Sequence, residues 1–227
     1  MSYLLHIETS TTACSVALSL DETVLHRIHY DNGYSHAENL HPFIQRLMAE
    51  SGIPLQSLSA VAVSKGPGSY TGLRIGVSAA KGLAYTLQIP VIALNTLQVM
   101  AEAAKEKNPD AQFYCPMLDA RRMEVYTAMF NHDMTVKLDT QALILTEESV
   151  AMYHDFSQLC FFGNGYAKAM HLLAGLKDVY FIDHINPEAA YMARAAYQKF
   201  LKKDFEDTVY FEPFYLKDFL IVRKTKA

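Results

Sequence analysis

An α/β fold with a mixed sheet is what the first hundred residues predict, and three observations predict it. YLLHIE (3–8), ACSVALSL (13–20) and TVLHRIHY (23–30) are short, β-rich segments separated only by turn-length gaps, as in an antiparallel meander. An amphipathic helical stretch follows, and then strand-like and helix-like segments alternate. The resulting order, βββαβα, differs from the strict βαβ alternation of a dinucleotide-binding sheet.

Each element has its own signal. Asp31-Asn32-Gly33 is a turn, and Ser35 is placed to cap a helix with Glu38 as its capping-box partner. Leu40, Phe43, Ile44, Leu47 and Met48 recur at helical spacing, and Gly52 and Pro54 end the helix near Ser51. LSAVAVS (58–64) reads as a buried strand, residues 71–87 as a helix stopping before Pro90, PVIAL (90–94) as a strand, and a third helix runs to about Lys107. Asn108-Pro109-Asp110 marks a boundary, giving one half over 1–107 and a smaller, degenerate half over 108–227. In the second half, QFYCPML (112–118), EVYTAMF (124–130) and LCFFG (159–163) read as strands. Helices are expected near 166–174 and 187–203, the latter opening with Pro187 and packing back on the first half.

Composition narrows the function. The 227 residues are 51% apolar and 19% charged, enough apolar content for an ordinary core. A net charge of −4 excludes a protein that coats nucleic acid by charge alone. Cys14, Cys115 and Cys160 form neither a disulfide framework nor a CxxC zinc site, and MSYLLHIETS lacks a basic leader, so a cytoplasmic chain is expected. Charge is unevenly spread: between Ile75 and Ala101 only Lys81 is charged. A stretch so poor in charge has little solvated surface, and cover by another domain or by a second chain is expected, the second chain being the favoured reason.

The loop Gly66-Pro67-Gly68-Ser69-Tyr70-Thr71-Gly72 is the sharpest local motif. Its glycines allow close backbone approach, and Ser69 or Thr71 is placed to cap the next helix. It reads either as an anion site or as a tight, well-capped turn; no Lys-Ser/Thr follows as in a P-loop. Thr9-Ser10-Thr11-Thr12, with Glu8 before it, suits phosphate contact or a polar hairpin turn equally. In helix 71–87, Gly72, Gly76 and Ala80 lie four apart beside Ala79 and Gly82, leaving one side nearly bare backbone. Each interior glycine costs about 1 kcal/mol of helix propensity, so close approach of another helix is expected to offset it. His36 and His41, and His26 and His29, lack metal-ligand spacing. Asp119-Ala120-Arg121-Arg122-Met123-Glu124 reads as a salt-bridged turn. Lys199, Lys202 and Lys203 read as a solvated face, and Arg223, Lys224 and Lys226 as a tail.

LLHIETSTTACSVAL (4–18), KGPGSYTGLRIGVSAAKGLA (65–84), IPVIALNTLQVMA (89–101) and DARRMEVYTAMF (119–130) together resemble the bacterial TsaB (YeaZ) family. FFGNGYAK (161–168) and EPFYLKD (212–218) fit the same pattern. The resemblance implies an actin-like ATPase (ASKHA, ribonuclease H-like) fold of two related halves with mixed sheets. It implies an accessory subunit of the machinery that makes threonylcarbamoyladenosine next to the anticodon of tRNA, in which the TsaD paralogue binds metal and catalyses and TsaE is an associated ATPase. The chain itself is expected to hold no catalytic residue, metal or cofactor, with any nucleotide lying at a subunit interface. It would dimerise with the TsaD-like chain, or with itself, through its first two helices. His36, Leu40, Ile44, Gly72, Leu73, Ile75, Gly76, Ala79, Ala80 and Leu83 map onto that interface. tRNA would be touched indirectly or weakly, and a membrane not at all. The older glycoprotease label lacks a ligand set here. The competing reading is an independent actin-like ATP-binding enzyme using Thr9, Ser10, Gly66, Gly68 and Ser69 on phosphates.

Overall fold

The computed structural model of the chain describes residues 1–31, 33 and 36–217. The first half begins with the meander β1 (Tyr3–Glu8), β2 (Cys14–Leu20) and β3 (Thr23–Tyr30). It continues through α1 (His36–Ser51), β4 (Leu58–Gly66), α2 (Tyr70–Leu87), β5 (Val91–Asn95) and α3 (Thr96–Lys107). The second half has β6 (Phe113–Asp119), β7 (Glu124–Asn131), β8 (Val136–Ile144) and the short α4 (Glu147–Val150). It ends with β9 (Leu159–Phe162), α5 (Tyr166–Leu173), β10 (Val179–Ile182) and α6 (Ala193–Leu201). Ser35 lies outside the described residues, as does the basic tail at Arg223, Lys224 and Lys226.

The two sheets share one plan. The first has the order β3-β2-β1-β4-β5 and the second the order β8-β7-β6-β9-β10. In each, the first three strands pair antiparallel and the last two join parallel to the first. This duplicated mixed sheet is the actin-like fold that the order βββαβα foreshadows.

β8 and β10 have no counterpart in the sequence expectations, for a local reason. β10 is only VYFI, and β8, VKLDTQALI, carries a charge or amide at every other turn of its pleat. Both are edge strands, defined by pairing to β7 and β9 rather than by their own pattern. The last helix also starts later than expected. Pro187 precedes it, Glu188 is extended, one 3-10 turn spans Ala189–Met192, and α6 begins at Ala193. The Ala189 N–H donates to Ser15 Oγ at 2.9 Å, and the Glu188 carboxylate pairs with Arg27 at 3.5 Å. Those contacts hold residues 188–189 out of the helix.

The first sheet is covered on both faces, as parallel strands require. α1 and α2 pack on one face with Leu5, Ile7, Val16, Val61 and Val63. Ala189, Met192, Ala195 and Ala196 from the last helical region pack on the other, against Leu4, Ala17, Ala60, Ala62 and Ile92. β5 and α3 lie inside: Leu97, Met100, Ala101 and Ala104 join Tyr114, Phe130 and Phe162 of the second sheet. Of the two expected causes for the charge-poor stretch 75–101, cover within the chain accounts for β5 and α3, and the outer side of α2 stays uncovered.

Residues 204–217 run back over the molecule as a strap. Glu206 N–H donates to Val91 O at 2.9 Å, and Phe214 N–H to Lys65 O at 2.6 Å. Lys81 Nζ donates to the carbonyls of Val209 and Phe211 at 3.4 and 3.0 Å. Tyr215 stacks 4.8 Å from Tyr70 and accepts from Arg74 Nε at 3.1 Å. Lys217 ends the strap in an ion pair with Glu124 of the second half.

His6, on β1, supplies a pH signature. Its Nε2 meets Ser19 Oγ at 2.8 Å, while Nδ1 is buried without a hydrogen-bond partner. Burial lowers its pKa from 6.5 to about 3. The unfolded chain thus binds the extra proton between those values, and stability falls as pH drops from 6.5 toward 3, by at most about 1.4 kcal/mol per pH unit for this one proton. His6→Leu is expected to flatten that part of the acid limb in thermal unfolding followed against pH. An unchanged limb would mean that His6 does not contribute.

Candidate functional site

Two loop pairs sit at the carboxyl ends of the strands, one in each half. In the first, the β1–β2 turn (Thr9–Thr12) meets the loop between β4 and α2. Gly66 takes φ +115, a conformation that a side chain would strain. Ser69 N–H donates to Ser10 O at 2.6 Å, and Ser69 Oγ accepts from Gly72 N at 3.3 Å, capping α2. Thr9 Oγ1 donates to Gly72 O at 2.8 Å. Ser10 N–H donates to Glu8 Oε1 at 2.7 Å. A Cβ at Gly68 would lie 2.3 Å from Ser10 O. Thr9 Oγ1 and the backbone N–H groups of Ser10, Ser69 and Gly72 are thus already engaged within the loop pair, and Gly66 and Gly68 serve close packing.

The second half repeats this closure. Asn164 Oδ1 accepts from Asp119 N at 2.8 Å, and Gly165 N–H donates to Met117 O at 2.8 Å. A Cβ at Gly165 would lie 2.9 Å from Met117 O. Lys168 Nζ meets Asp119 Oδ1 at 2.6 Å and the carbonyls of Arg122 and Glu124 at 2.8 Å, so the turn at 119–124 is held by salt bridge and hydrogen bond. The Lys168 ammonium and the Arg121 N–H outweigh partial burial and hold the Asp119 carboxyl below its usual value. On the exposed face near α6, Lys199 pairs with Asp204 at 2.9 Å.

Glu8 is fully buried, and its Oε2 and the nearby Ser10 Oγ have no hydrogen-bond partner. Burial pushes its pKa up, against hydrogen bonds from Ser10 and Thr9 that pull it down. The folded chain therefore keeps a proton that the unfolded chain releases, and stability falls as pH rises from 4.5 through the raised value, then levels. Glu8→Gln is expected to melt higher than the parent at pH 8, with the gap closing as pH approaches 4.5. A gap independent of pH would contradict the assignment.

The residues expected at a partner interface divide sharply. Gly72, Gly76 and Ala80 do not form an open groove. A Cβ at Gly72 would lie 2.1 Å from Thr9 O, and one at Gly76 would lie 2.3 Å from Thr9 Oγ1 and 3.6 Å from Ile7. Thr9, the residue after β1, and the Ile7 side chain fill the bare side of α2, which corrects the expectation of an approaching helix. Leu40, Ile44, Leu73, Ala79 and Ala80 are buried in the first half's own core. His36 is buried too, its Nε2 donating to Thr11 O at 2.8 Å. Only Ile75 and Leu83 of that set remain partly exposed, together with Phe43 and Leu87.

Outward from them α2 presents Ser78, Gly82, Tyr85 and Thr86, all exposed and uncharged, with Tyr85 at 76%. A Cβ at Gly82 would meet nothing within 4 Å. Lys81, the one charge between Ile75 and Ala101, is turned to the strap. Sequence reasoning found this helix but chose its inner face. Ser78, Gly82 and Thr86 recur four apart, a second small-residue row that the string contains and that Gly76 overshadowed.

Among the described residues no group of three His, Cys, Asp or Glu could hold a metal, and no helix is long and apolar enough to cross a membrane. The family model for TsaD, tRNA N6-adenosine threonylcarbamoyltransferase, matches residues 31–218. The chain is 32% identical over 225 residues to the tRNA threonylcarbamoyladenosine biosynthesis protein TsaB of Haemophilus influenzae, covering 95% of this chain and 93% of that one. It is 40% identical over 131 residues to TsaB of Escherichia coli, where the match spans 57% of this chain and only 55% of the relative. The crystal structure of YeaZ from Pseudomonas aeruginosa superposes with a TM-score of 0.84 at 29% identity, covering 95% of this chain and all of that one.

Proposed function

Because the chain belongs to the TsaB family of tRNA threonylcarbamoyladenosine biosynthesis proteins, we propose that it acts there as a non-catalytic subunit whose first half, residues 1–107, docks a TsaD-like catalytic partner. The outer surfaces of α1 and α2 form the contact. One observation carries this reading: the exposed side of α2 between Ile75 and Leu87 holds no free charge, only Ser78, Gly82, Tyr85 and Thr86 flanked by half-buried Ile75, Leu83 and Leu87. Such an uncharged surface, small residues around one projecting aromatic ring at Tyr85, lets a partner helix approach and gives it an apolar anchor. The same surface would pair two copies when the partner is absent, so homodimers are expected in isolation.

Two features support a subunit without chemistry of its own. Both loop pairs at which an actin-like enzyme would hold phosphates are closed by internal hydrogen bonds. The buried Glu8 carboxyl, its pKa raised by desolvation, lies directly before the Thr9–Thr12 turn and puts an acidic group beside it. Any nucleotide would then lie at the boundary with the partner. A TsaE-like ATPase would join the pair, tRNA would contact this chain indirectly or weakly, and the setting is the cytoplasm.

Reconstitution tests the reading. The TsaD-like and TsaE-like proteins of the same organism, threonylcarbamoyl-adenylate and tRNA are combined with and without this chain, and modified adenosine is read by mass spectrometry of digested tRNA. Modification is expected only when the chain is present, and none from the chain alone. Turnover of ATP by the isolated chain would instead favour the independent actin-like enzyme.

A further inference from the structure

A cavity of about 300 Å³ lies between the two halves, beside the loop that begins at Gly66, with no residue of α2 in its lining. It opens at the carboxyl ends of the adjacent parallel strands β4 and β5, where open α/β sheets commonly receive ligands. Lys65, Asn95 and Gln98 line it from the first half, Phe130, Val136, Asp139 and Thr140 from the second, and Phe214 of the strap closes one side.

The polar groups divide by charge. From the first half come Lys65 and the first turn of α3, a 12-residue helix that begins at Thr96, carries Gln98 and has its Leu97 N–H capped by Asn95 Oδ1 at 2.8 Å; Lys65 and the positive helix end favour a negative group. From the second half comes Asp139, an exposed carboxylate that favours a positive one. Neither Lys65 nor Asp139 takes part in any ion pair or side-chain hydrogen bond among the described residues. Asp204 lies within electrostatic reach of Lys65 but is bonded to Lys199. In the same lining Asn95 Nδ2 donates to Thr140 Oγ1 at 2.9 Å, tying the halves together, and Phe130 and Val136 offer apolar surface.

We propose that this cleft binds a small zwitterion of amino-acid type, its carboxylate toward Lys65 and the α3 N-terminus and its ammonium toward Asp139. Two opposite charges on facing halves, each without a partner, match a molecule that carries both. The volume sits at the small end of ligand pockets, roughly 300–1,000 Å³. Because Lys65 and Asp139 belong to different halves, such a ligand would also bias the halves toward one relative position.

The test is ¹H–¹⁵N NMR titration of the full chain with glycine, L-serine and L-threonine, against acetate and ethylammonium as the separated charges. Saturable shifts are expected at residues 65, 95–98 and 136–140, with the half-molecules binding about tenfold more weakly or worse. Lys65→Met and Asp139→Asn are each expected to weaken the zwitterion about tenfold or more while leaving the melting temperature in place. Absence of saturable shifts with all three amino acids overturns the proposal. So does binding that survives both substitutions, or tighter binding of ADP at the same residues.

Discussion

Gly76→Leu is expected to lower the melting temperature by about 4–8 °C, because the side chain has nowhere to go. A Cβ there already falls 2.3 Å from Thr9 Oγ1, the hydroxyl that donates to Gly72 O, so the substitution must displace β1 or break that bond. Overpacking of this kind costs typically up to about 3 kcal/mol, and at this chain length each 1 kcal/mol moves the midpoint by roughly 2–4 °C. Replacing an interior glycine returns up to about 1 kcal/mol of helix propensity, which the clash outweighs. Thermal unfolding by circular dichroism reads the effect. An unchanged midpoint would mean that the groove is open and that the inner face of α2 was free for a partner.

Gly82→Arg should do the reverse. No atom lies within 4 Å of the new Cβ, the site is exposed, and an arginine is a better helix former than glycine, so the midpoint should stay level or rise by a few degrees. The same substitution puts a long, charged side chain on the exposed side of α2 between Ile75 and Leu87, among Ser78, Tyr85 and Thr86. An unpaired charge buried at a contact costs several kcal/mol, which corresponds to at least a hundredfold loss of association. Sedimentation of the isolated variant is expected to show monomer at concentrations where the parent dimerises.

The contrast between these two glycines also shows what the string could and could not convey. The strands of the meander, α2 and the alternation around β4 and β5 were legible because each carries its own period and stop signals. β8 and β10 were not, since edge strands this short or this polar exist through their neighbours. The spacing of Gly72, Gly76 and Ala80 correctly announced a close backbone approach. What approaches is Thr9, some sixty residues earlier in the chain, and no local pattern encodes that pairing. The depletion of charge over 75–101 blended two causes, burial of β5 inside the first half and of α3 against the second, and the bare outer face of α2. Only the fold separates them. The closure of the phosphate-side loops was equally hidden, because Thr9, Ser10 and Ser69 are the residues that an anion site would use as well.

The docking role of the outer face of α2 is the central claim, and light scattering on mixtures with the TsaD-like protein of the same organism tests it most directly. The parent chain is expected to give a mixed species of defined mass, and Gly82→Arg, folded and equally stable, is expected to give none. A mixed species that forms as readily with Gly82→Arg as with the parent would contradict the account and move the contact elsewhere on the chain.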